Sequence, residues 1–521
     1  MKRKNYIYTG VLALALGASM ASCEDYLDIN DNPNFPTEAS LATLLPSAEI
    51  TTIAQTGYNG ALIGNMWMQY TTQGNTTNQY NTTVNYSITT ASYNAFWTNA
   101  YANTLPDLKL LIEQAEAEGA WNFWLIGKVL MAYNYHILTD IYEDIPFTEA
   151  LQAKEFPKPK YDDSRTVVYP GILALLDEAI AKHSEAADRG NPVLSTGDYY
   201  FNGKIDKWVA FAKSLKLKVM LRDFESYKSQ ISSLLSDGNL LEEDCAITVF
   251  EDATNKGNPF YEYNIRQLNT RENIRASHTL LEFLLANEDP RITELFLPTT
   301  VAQRRIDAGE TLTYRETFEG LPQGTKPSSQ AEDEESVPLV NSSRYKQAYD
   351  DPVYLMNKAE CYFLIAEAYA RLGNAAEAKT AYDKGVTAAF DRWGFDASSF
   401  ISEGAPYAFK NTSTAEMLKC ILTQKWVSYA KANSWDAWFD RNRTGIPSIS
   451  KAFTVRVSNQ KPGLTEGYEL GTLVAPGSTV LQPMEFPRRM LIPDISAQYN
   501  ENAPTTKALQ EPMWWQVADG K

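Results

Sequence analysis

The stretch "LIAEAYARLGNAAEAKTAYDKGVTAAF", residues 364–390, has the clearest structural pattern in the chain. Small and aromatic residues recur in it at fixed offsets. The residues at these offsets are Ala366, Tyr369, Gly373, Ala378, Tyr382 and Gly385. Offsets of this kind allow two antiparallel helices to interlock closely. The stretch therefore predicts a helical hairpin.

The same offsets match a tetratricopeptide unit, a pair of antiparallel helices that stacks on further pairs. The proline that usually closes the unit is missing, and Phe390 stands in its place. One unit cannot bury both of its faces, so the match implies degenerate neighbouring units. An alanine-rich helical hairpin of another kind is the alternative interpretation.

Helical periodicity dominates other parts of the chain as well. Residues 206–224 place four large apolar side chains on one face, and residues 99–119 and 122–142 also have helical patterns. Residues 320–345 and 457–483 are rich in Gly, Pro and Ser without periodicity, which is typical of loops. The β-branched runs in the second of these loops are compatible with a small hairpin. The sequence predicts a predominantly α-helical fold with long loops and minor β-hairpins.

The composition bounds the size and the partners of the protein. The chain has 521 residues, of which 44% are hydrophobic, so it can form a large core. Its formal net charge is −17. Nucleic-acid binding depends on lysine and arginine contacts to phosphate, so this acidic balance argues against nucleic acid as a partner.

The N-terminus has the features of an export signal. Basic residues 2–4 precede an apolar run at 11–20 that is too short for a membrane-spanning helix. Cys23 then follows in "MASC", which resembles a bacterial lipobox. We therefore expect a signal peptide over residues 1–22, lipidation of Cys23, and an acidic tether over residues 23–40. An ordinary signal peptide, whose cleavage leaves a free thiol, is the alternative.

Motifs for catalysis or cofactor binding are absent from the sequence. The three histidines, His136, His183 and His278, have no second His or Cys at metal-ligand spacing. A nucleophile elbow, a P-loop and a dinucleotide fingerprint are also missing. We expect no enzyme activity and no cofactor, and a structural calcium ion at an unassigned site stays open.

Glycoside hydrolysis needs only two carboxylates, so acidic residues alone could form a catalytic pair. Asp140, Glu143 and Asp144 lie close together in the sequence "LTDIYEDIPF". We expect these three side chains to face outward at a helix end, where they would form a solvated acidic patch rather than a catalytic pair.

A long segment without charge is the best candidate for a binding site. No Asp, Glu, Lys, Arg or His occurs between Glu49 and Asp107, although 21% of the chain is charged. Within this segment, residues 65–86 combine aromatic rings with Asn, Gln and Thr, and residues 258–269 repeat the theme. Sugars present C–H faces that pack on aromatic rings and hydroxyl groups that bind amides. Both stretches therefore suit a neutral glycan.

The candidate ligand-binding residues are the aromatic and amide side chains of these two stretches. They are Trp67, Tyr70, Gln73, Asn75, Asn78, Tyr80, Asn81, Tyr86, Tyr261, Tyr263 and Asn264. Trp97 and Tyr101 offer similar chemistry, but we expect them in the core because they lie in a helical pattern. Two alternatives stay open for the loop residues: docking against a protein partner, and plain packing between helices.

Eight segments of the chain follow one another in an order and spacing typical of a single family. They include "LTDIYEDIPFTEAL" and "GKIDKWVAFAKSLKLKVMLR". The full set is residues 26–37, 138–151, 159–180, 203–222, 289–296, 358–373, 421–447 and 485–502. Each segment alone is a weak signal. Together they resemble the SusD/RagB-like outer-membrane lipoproteins of Bacteroidota, in particular the SusD-like group.

The resemblance implies a single domain over residues 41–521, in which a tetratricopeptide-like superhelix, clearest at 358–390, packs against an irregular loop-rich half. It also implies a lipoprotein held in the outer membrane by its N-terminal lipid and facing the extracellular side. Such proteins act as lids over SusC-like TonB-dependent barrels and capture oligosaccharides or polysaccharides. Peptides or another nutrient are the alternative ligands, with the neutral aromatic loop then serving mainly to dock the barrel.

Two positions depart from the pattern of this family. Glu143 stands where glycine is usual, before "DIP", and Lys213 stands where asparagine is usual. We expect the first to affect the geometry of a turn and the second to affect a local hydrogen bond.

Overall fold

The structure is a computed structural model that describes residues 39–74, 77–194, 197–324, 341–450, 468–476, 479–482 and 484–517. The helices up to residue 261 are α1 (Leu41–Gln55), α2 (Ala61–Trp67), α3 (Asn81–Val84), α4 (Ala95–Asn99), α5 (Leu105–Glu118), α6 (Trp121–Tyr142), α7 (Tyr169–Ala181), α8 (His183–Ala186), α9 (Ile205–Met220), α10 (Phe224–Asp237) and α11 (Pro259–Tyr261). The later helices are α12 (His278–Ala286), α13 (Ile292–Leu295), α14 (Thr300–Asp307), α15 (Tyr314–Thr317), α16 (Lys358–Arg371), α17 (Ala375–Asp391), α18 (Ser398–Ile401), α19 (Thr414–Ser428), α20 (Ser434–Thr444) and α21 (Asp494–Tyr499).

The strands are short and pair across long stretches of sequence. They are β1 (Thr71–Gln73), β2 (Cys245–Ile247), β3 (Ile274–Ala276) and β4 (Val353–Met356). β1 pairs with β3 and β2 pairs with β4, both antiparallel, so neither pair is a hairpin between neighbours. Most of the loop in which a small hairpin was considered, residues 457–483, lies outside the described residues.

The predominantly helical fold predicted from the sequence is confirmed. Residues 206–224 lie in α9 and the start of α10, and the patterns at 99–119 and 122–142 correspond to α5 and α6 with the turns beside them. One hydrophobic core contains buried side chains from Leu41 to Trp515. Within the described ranges, no helix is long and apolar enough to span a membrane.

The pattern at 364–390 forms a hairpin of two helices, α16 and α17. Asn357 and Glu360 form a capping box that satisfies the first backbone N–H groups of α16. Gly373 ends that helix with a φ of +80°, in the left-handed region that glycine tolerates. A Cβ at Gly385 would lie 2.8 Å from the ring of Phe363, so only glycine allows this close helix packing. The tetratricopeptide assignment of the hairpin stays a prediction.

A network of buried charges joins helices that lie far apart in the sequence. Lys218 on α9 lies 2.8 Å from Glu360 on α16 and 2.5 Å from Asp436 on α20. One turn further along, Arg222 pairs with Asp140 on α6 at 2.5 Å. All five side chains are almost completely buried. Removing one partner of such a pair leaves an unpaired buried charge, which costs about 3–5 kcal/mol.

The network continues at the other end of α20. Arg443 binds Glu367 of α16 at 2.5 Å and Asp440 at 2.8 Å. Lys425 of α19 also binds Asp440, at 2.7 Å. Burial alone would raise the pKa of Glu367, but the guanidinium of Arg443 holds it at about 2. The helical hairpin is therefore tied to α19 and α20 by charges as well as by apolar packing.

The expectation of a solvated acidic patch around Asp140 is wrong. Asp140 is completely buried against Arg222, and Glu143 is buried where it binds Arg489 at 2.9 Å and Lys507 at 2.6 Å. The cations that neutralise these carboxylates lie 82 and 346 residues away along the chain, at Arg222 and Arg489. Local spacing cannot reveal partners at such separations.

Glu143 ends α6 with a φ of +72° and a ψ of −99°. This conformation favours glycine, because a Cβ crowds the backbone there. It agrees with the glycine that is usual at this position in the family that the sequence resembles. The ion pairs with Arg489 and Lys507 offset the backbone strain. Lys213, the second departure from the family pattern, pairs with Asp237 at the end of α10.

Replacing Glu143 tests this account of the turn. Both Glu143→Gly and Glu143→Ala remove the ion pairs, but only alanine keeps the Cβ strain. We expect Glu143→Gly to be more stable than Glu143→Ala by about 1 kcal/mol in guanidinium unfolding. The control is Glu116, which is exposed in α5. There the alanine variant should be more stable than the glycine variant by about 1 kcal/mol. Equal stability of the two variants at position 143 would contradict the account.

His136 makes the stability of the fold depend on pH. It is completely buried in α6, 3.5 Å from Asp140, and burial lowers its pKa from 6.5 to about 3. The unfolded chain therefore takes up a proton below pH 6.5 that the folded protein does not bind. This contribution to stability is complete above pH 6.5 and is lost as the pH falls.

The test compares the wild type with His136→Leu in urea unfolding across a pH series. Below about pH 5.5, the free energy of unfolding of the wild type should fall relative to that of the variant by about 1.4 kcal/mol per pH unit. Above about pH 7.5 the difference between the two proteins should be constant. Parallel curves at all pH values would contradict the assignment of a buried neutral histidine.

Candidate functional site

Four of the predicted ligand-binding residues lie in the hydrophobic core, namely Trp67, Tyr70, Tyr80 and Tyr86. Trp67 donates its indole N–H to a backbone carbonyl at 2.9 Å and packs edge-on against Trp438. Tyr70 donates its hydroxyl to the carbonyl of Trp426 at 2.6 Å. Tyr86 contacts the edge of Trp67. All four rings are buried, so the packing alternative describes their environment.

Gln73 is also buried, and it shapes the loop that follows β1. Its amide nitrogen donates to the carbonyl of Thr77 at 2.6 Å, and its amide oxygen accepts from the backbone N–H of Tyr80 at 2.5 Å. The side chain of Gln73 therefore sets where Tyr80 lies. Asn75, another predicted residue, lies outside the described residues.

The structure brings the two predicted stretches together. The hydroxyl of Tyr80 donates to the buried side chain of Asn264, whose amide in turn donates to the carbonyl of Phe260 at 2.8 Å. Asn273 donates to the side chain of Gln79 at 2.7 Å. The pairing of β1 with β3 supports the same junction. Residues 65–86 and 258–269 therefore meet at one junction, with Tyr80 and Asn264 buried in its interior.

A group of tyrosines lies at this junction, and we call it the tyrosine cluster. Its members are Tyr58, Tyr80, Tyr93 and Tyr263. The rings of Tyr58 and Tyr263 have centroids 4.0 Å apart and planes inclined at 37°. The hydroxyl of Tyr93 is hydrogen-bonded to that of Thr83. Tyr263 is 38% exposed, so part of its ring faces solvent.

The phenols of Tyr58, Tyr80 and Tyr93 stay protonated at physiological pH. Burial raises the pKa of Tyr80 and of Tyr93 to about 12 and raises that of Tyr58 further. A neutral phenol can both donate and accept a hydrogen bond. The hydroxyls of Tyr80 and Tyr93 are hydrogen-bonded within the protein, and the exposed part of the Tyr263 ring is available to a ligand.

Amide side chains adjoin the cluster in the sequence. Asn78 is exposed and Asn81 is partly exposed. Asn81 accepts a hydrogen bond from Asn85. On the turn that contains Tyr58, Asn59 donates to Gln55 at 2.8 Å. Neutral polar groups of this kind suit ligands rich in hydroxyl groups.

Sequence reasoning did not select Tyr58 and Tyr93. Both lie in the charge-free segment between Glu49 and Asp107, so that segment was a usable signal over its full length. The prediction considered only the part of it that is densest in aromatic and amide residues. Tyr58 lies in the π-helical turn Thr56–Gly60, which the sequence did not indicate.

Tyr261 has a different environment from Tyr263. Its ring contacts the edge of Tyr349, with centroids 6.4 Å apart, and Arg266 lies 5.5 Å from its centroid. Tyr261 lines a small cavity that also includes Asn65. The two tyrosines therefore belong to neighbouring features of the surface and not to one stack.

Among the described residues, groups suited to metal binding do not converge at this surface. In the part of the chain that the structure describes, no cluster of three or more His, Cys, Asp or Glu side chains could hold a metal ion. Asp140, one of the carboxylates considered for glycoside hydrolysis, is buried in an ion pair with Arg222. The surface instead offers ring faces, phenol hydroxyls and amides, which is a set of groups suited to binding.

Comparison with known proteins gives the family. A SusD-like family model, described as "Starch-binding associating with outer membrane", matches residues 33–464. The match covers most of the chain, so the protein belongs to this SusD-like family. None of the curated protein sequences compared matches the chain.

Solved structures share the fold at low sequence identity. "Bacteroidetes AC2a SusD-like" has a TM-score of 0.69 and 20% identity, and the match covers 92% of this chain and 100% of that one. A chitin-binding protein has a TM-score of 0.68 and 22% identity, with 92% and 100% covered. A SusD homolog from Bacteroides uniformis has a TM-score of 0.66 and 21% identity, with 91% and 99% covered. These similarities support the SusD-like fold.

Stability measurements distinguish the buried from the exposed aromatic residues. We expect Trp67→Ala to lower the free energy of unfolding by about 3–5 kcal/mol, because it leaves a cavity in the core. Tyr263→Ala should lower it by about 1 kcal/mol, since that ring is half-exposed and loses mainly its contact with Tyr58. Equal losses of unfolding free energy for the two variants, measured by urea unfolding, would contradict these placements.

Proposed function

We propose that the protein is a surface lipoprotein that captures neutral oligosaccharides on the tyrosine cluster and acts as the lid of a SusC-like TonB-dependent transporter. The observation that carries the proposal is that Tyr58, Tyr80, Tyr93 and Tyr263 from separate segments meet at one junction, where the ring of Tyr263 is 38% exposed. Three of these four tyrosines come from the charge-free segment between Glu49 and Asp107. A neutral ligand loses little by leaving water for such a surface, whereas a charged ligand would find no counter-charge in that segment.

Aromatic rings and neutral polar groups explain how the ligand would be held. The exposed part of the ring of Tyr263 would pack against the C–H face of a sugar, and nearby amides such as Asn78 would bind its hydroxyl groups. Binding would need no bond cleavage. The description of the family as starch-binding and the chitin-binding protein among the related folds support a carbohydrate ligand.

The anchoring part of the proposal rests on sequence. Cys23, the proposed lipidation site, and residues 24–38 of the tether lie outside the described residues. The association of the family with the outer membrane supports an anchor there. A lipid at Cys23 would hold the protein at the outer face of that membrane and beside its barrel partner.

A second function for the same surface is docking of the barrel, with peptides or another nutrient as the ligand. Leu268, which is 43% exposed, lies in the same segment as Tyr263. Exposed apolar side chains next to an aromatic ring are typical of protein interfaces. The two functions predict different effects of the same substitution.

Calorimetry with a panel of neutral oligosaccharides and peptides tests the proposal. We expect Tyr263→Ala to weaken the binding of a glycan about tenfold, because the stacking face is lost. The matched control is Tyr499→Ala, which removes a tyrosine that is 78% exposed on α21. Its affinity should match that of the wild type.

Two results would overturn the glycan proposal. One is binding of peptides by the wild type with no binding of any glycan. The other is a Tyr263→Ala variant that keeps its glycan affinity but no longer co-purifies with the barrel, which would support docking.

A further inference from the structure

A small polar cavity adjoins the tyrosine cluster. Its volume is about 50 Å³. Its walls include Gly57, the residue before Tyr58, and Tyr261, two residues before Tyr263. A water molecule needs roughly 10–15 Å³ measured in this way, so the cavity has space for roughly three to five small polar groups. It is too small for a whole sugar ring.

Polar atoms of three residues that line this cavity are buried and lack partners. They are the side-chain oxygens of Asn65 and Gln347 and the indole nitrogen of Trp435, and none has a hydrogen-bond partner among the described residues. Asn65 is 3% exposed and Trp435 is 1% exposed. Burial of such an atom without a partner is unfavourable, so the cavity is suited to a polar occupant.

The walls are held in place by close backbone packing. A Cβ at Gly64 would lie 2.4 Å from the backbone of Ser434, so α2 and α20 touch at this point. The hydroxyl of Ser434 also donates to the carbonyl of Ala61 at 3.2 Å. Asn65 and Trp435 are the next residues on the two helices. Their unpartnered atoms are therefore oriented before a ligand arrives, which limits the entropy lost on binding.

Among the described residues, the cavity has no unpaired charge at its walls. Lys431 and Asp351 both line it, and their side chains lie 2.8 Å apart in an ion pair. Asn258 is also fixed, since its oxygen accepts from two backbone N–H groups and its nitrogen donates to the carbonyl of Asp351 at 2.8 Å. A charged ligand group would have to break the ion pair, whereas a neutral group would not.

We propose that this cavity binds two neighbouring hydroxyl groups of the captured glycan, while the rest of the ligand packs on the tyrosine cluster. The proposal rests on the function proposed above and adds the part of the sugar that is recognised. The indole N–H of Trp435 needs an acceptor, and the oxygens of Asn65 and Gln347 need donors. A hydroxyl group both donates and accepts, so a pair of hydroxyls satisfies all three. A carboxylate only accepts and would leave the two oxygens unpaired.

Variants that remove the polar atoms at nearly constant volume test the proposal. In calorimetry with the glycan that binds the wild type best, Asn65→Leu and Gln347→Met should each weaken binding about tenfold. The matched control is Gln424→Met on α19, because the oxygen of Gln424 is also buried without a partner among the described residues but does not line this cavity. Its affinity should equal that of the wild type. Thermal melts of all variants check that each is folded.

Deoxygenated ligands give the second measurement. Removing a hydroxyl that enters the cavity should weaken binding to the wild type about tenfold but should change binding to Gln347→Met little, because its partner is already missing. Equal losses in both proteins would overturn the proposal, as would a crystal structure of the complex with only water in the cavity.

The outcomes separate this proposal from the function on which it rests. If no glycan binds the wild type, the proposed function fails and the cavity proposal fails with it. If Tyr263→Ala weakens binding but Asn65→Leu and Gln347→Met do not, only the cavity proposal is overturned. If all three variants weaken binding and the Gln424→Met control does not, both are supported.

Discussion

The position of Lys218 between Glu360 and Asp436 is the interaction on which the rest of the structure depends. It joins α9, α16 and α20 through side chains that are almost completely buried, at distances of 2.8 and 2.5 Å. Removing Lys218 would leave two carboxylates in the core without their counter-charge, which costs about 3–5 kcal/mol. Glu360 also belongs to the capping box with Asn357. Glu360 therefore both caps the first helix of the hairpin and binds the hairpin to α9. The neighbouring pair of Arg222 and Asp140 extends the same connection to α6.

The candidate site depends on this network through α20. Asp436 follows Trp435, whose ring stacks on Phe96 with centroids 5.1 Å apart and lines the polar cavity. The residue before Trp435 is Ser434, which touches Gly64 on α2. Because α20 takes part in both the ion network and the cavity wall, the binding surface is supported by the rigid core and not by loops alone. Rigid support of this kind favours binding, since fewer side chains must be ordered when the ligand arrives.

The sequence predicted the parts of the fold that depend on local pattern. The periodicity at 206–224 and the small residues at 364–390 indicated helices that the structure contains. The burial of Trp67 could not be predicted, because an aromatic stretch without charge suits a core as well as a binding surface. The burial of Asp140 depends on Arg222, which lies 82 residues away. Tyr58 reaches the site through a π-helical turn and a contact with Tyr263, and neither leaves a local signal in the sequence.

The central claim is that the tyrosines and amides at this junction, three of whose four tyrosines come from the charge-free segment, hold a neutral glycan. The most direct test is a crystal structure of the protein with the oligosaccharide that binds it most tightly. The account predicts a sugar ring against the exposed face of Tyr263, with hydroxyl groups within hydrogen-bond distance of Asn65, Gln347 and Trp435. A well-defined ligand bound elsewhere, for example in the 660 Å³ cleft that includes Leu110 and Tyr499, would contradict it.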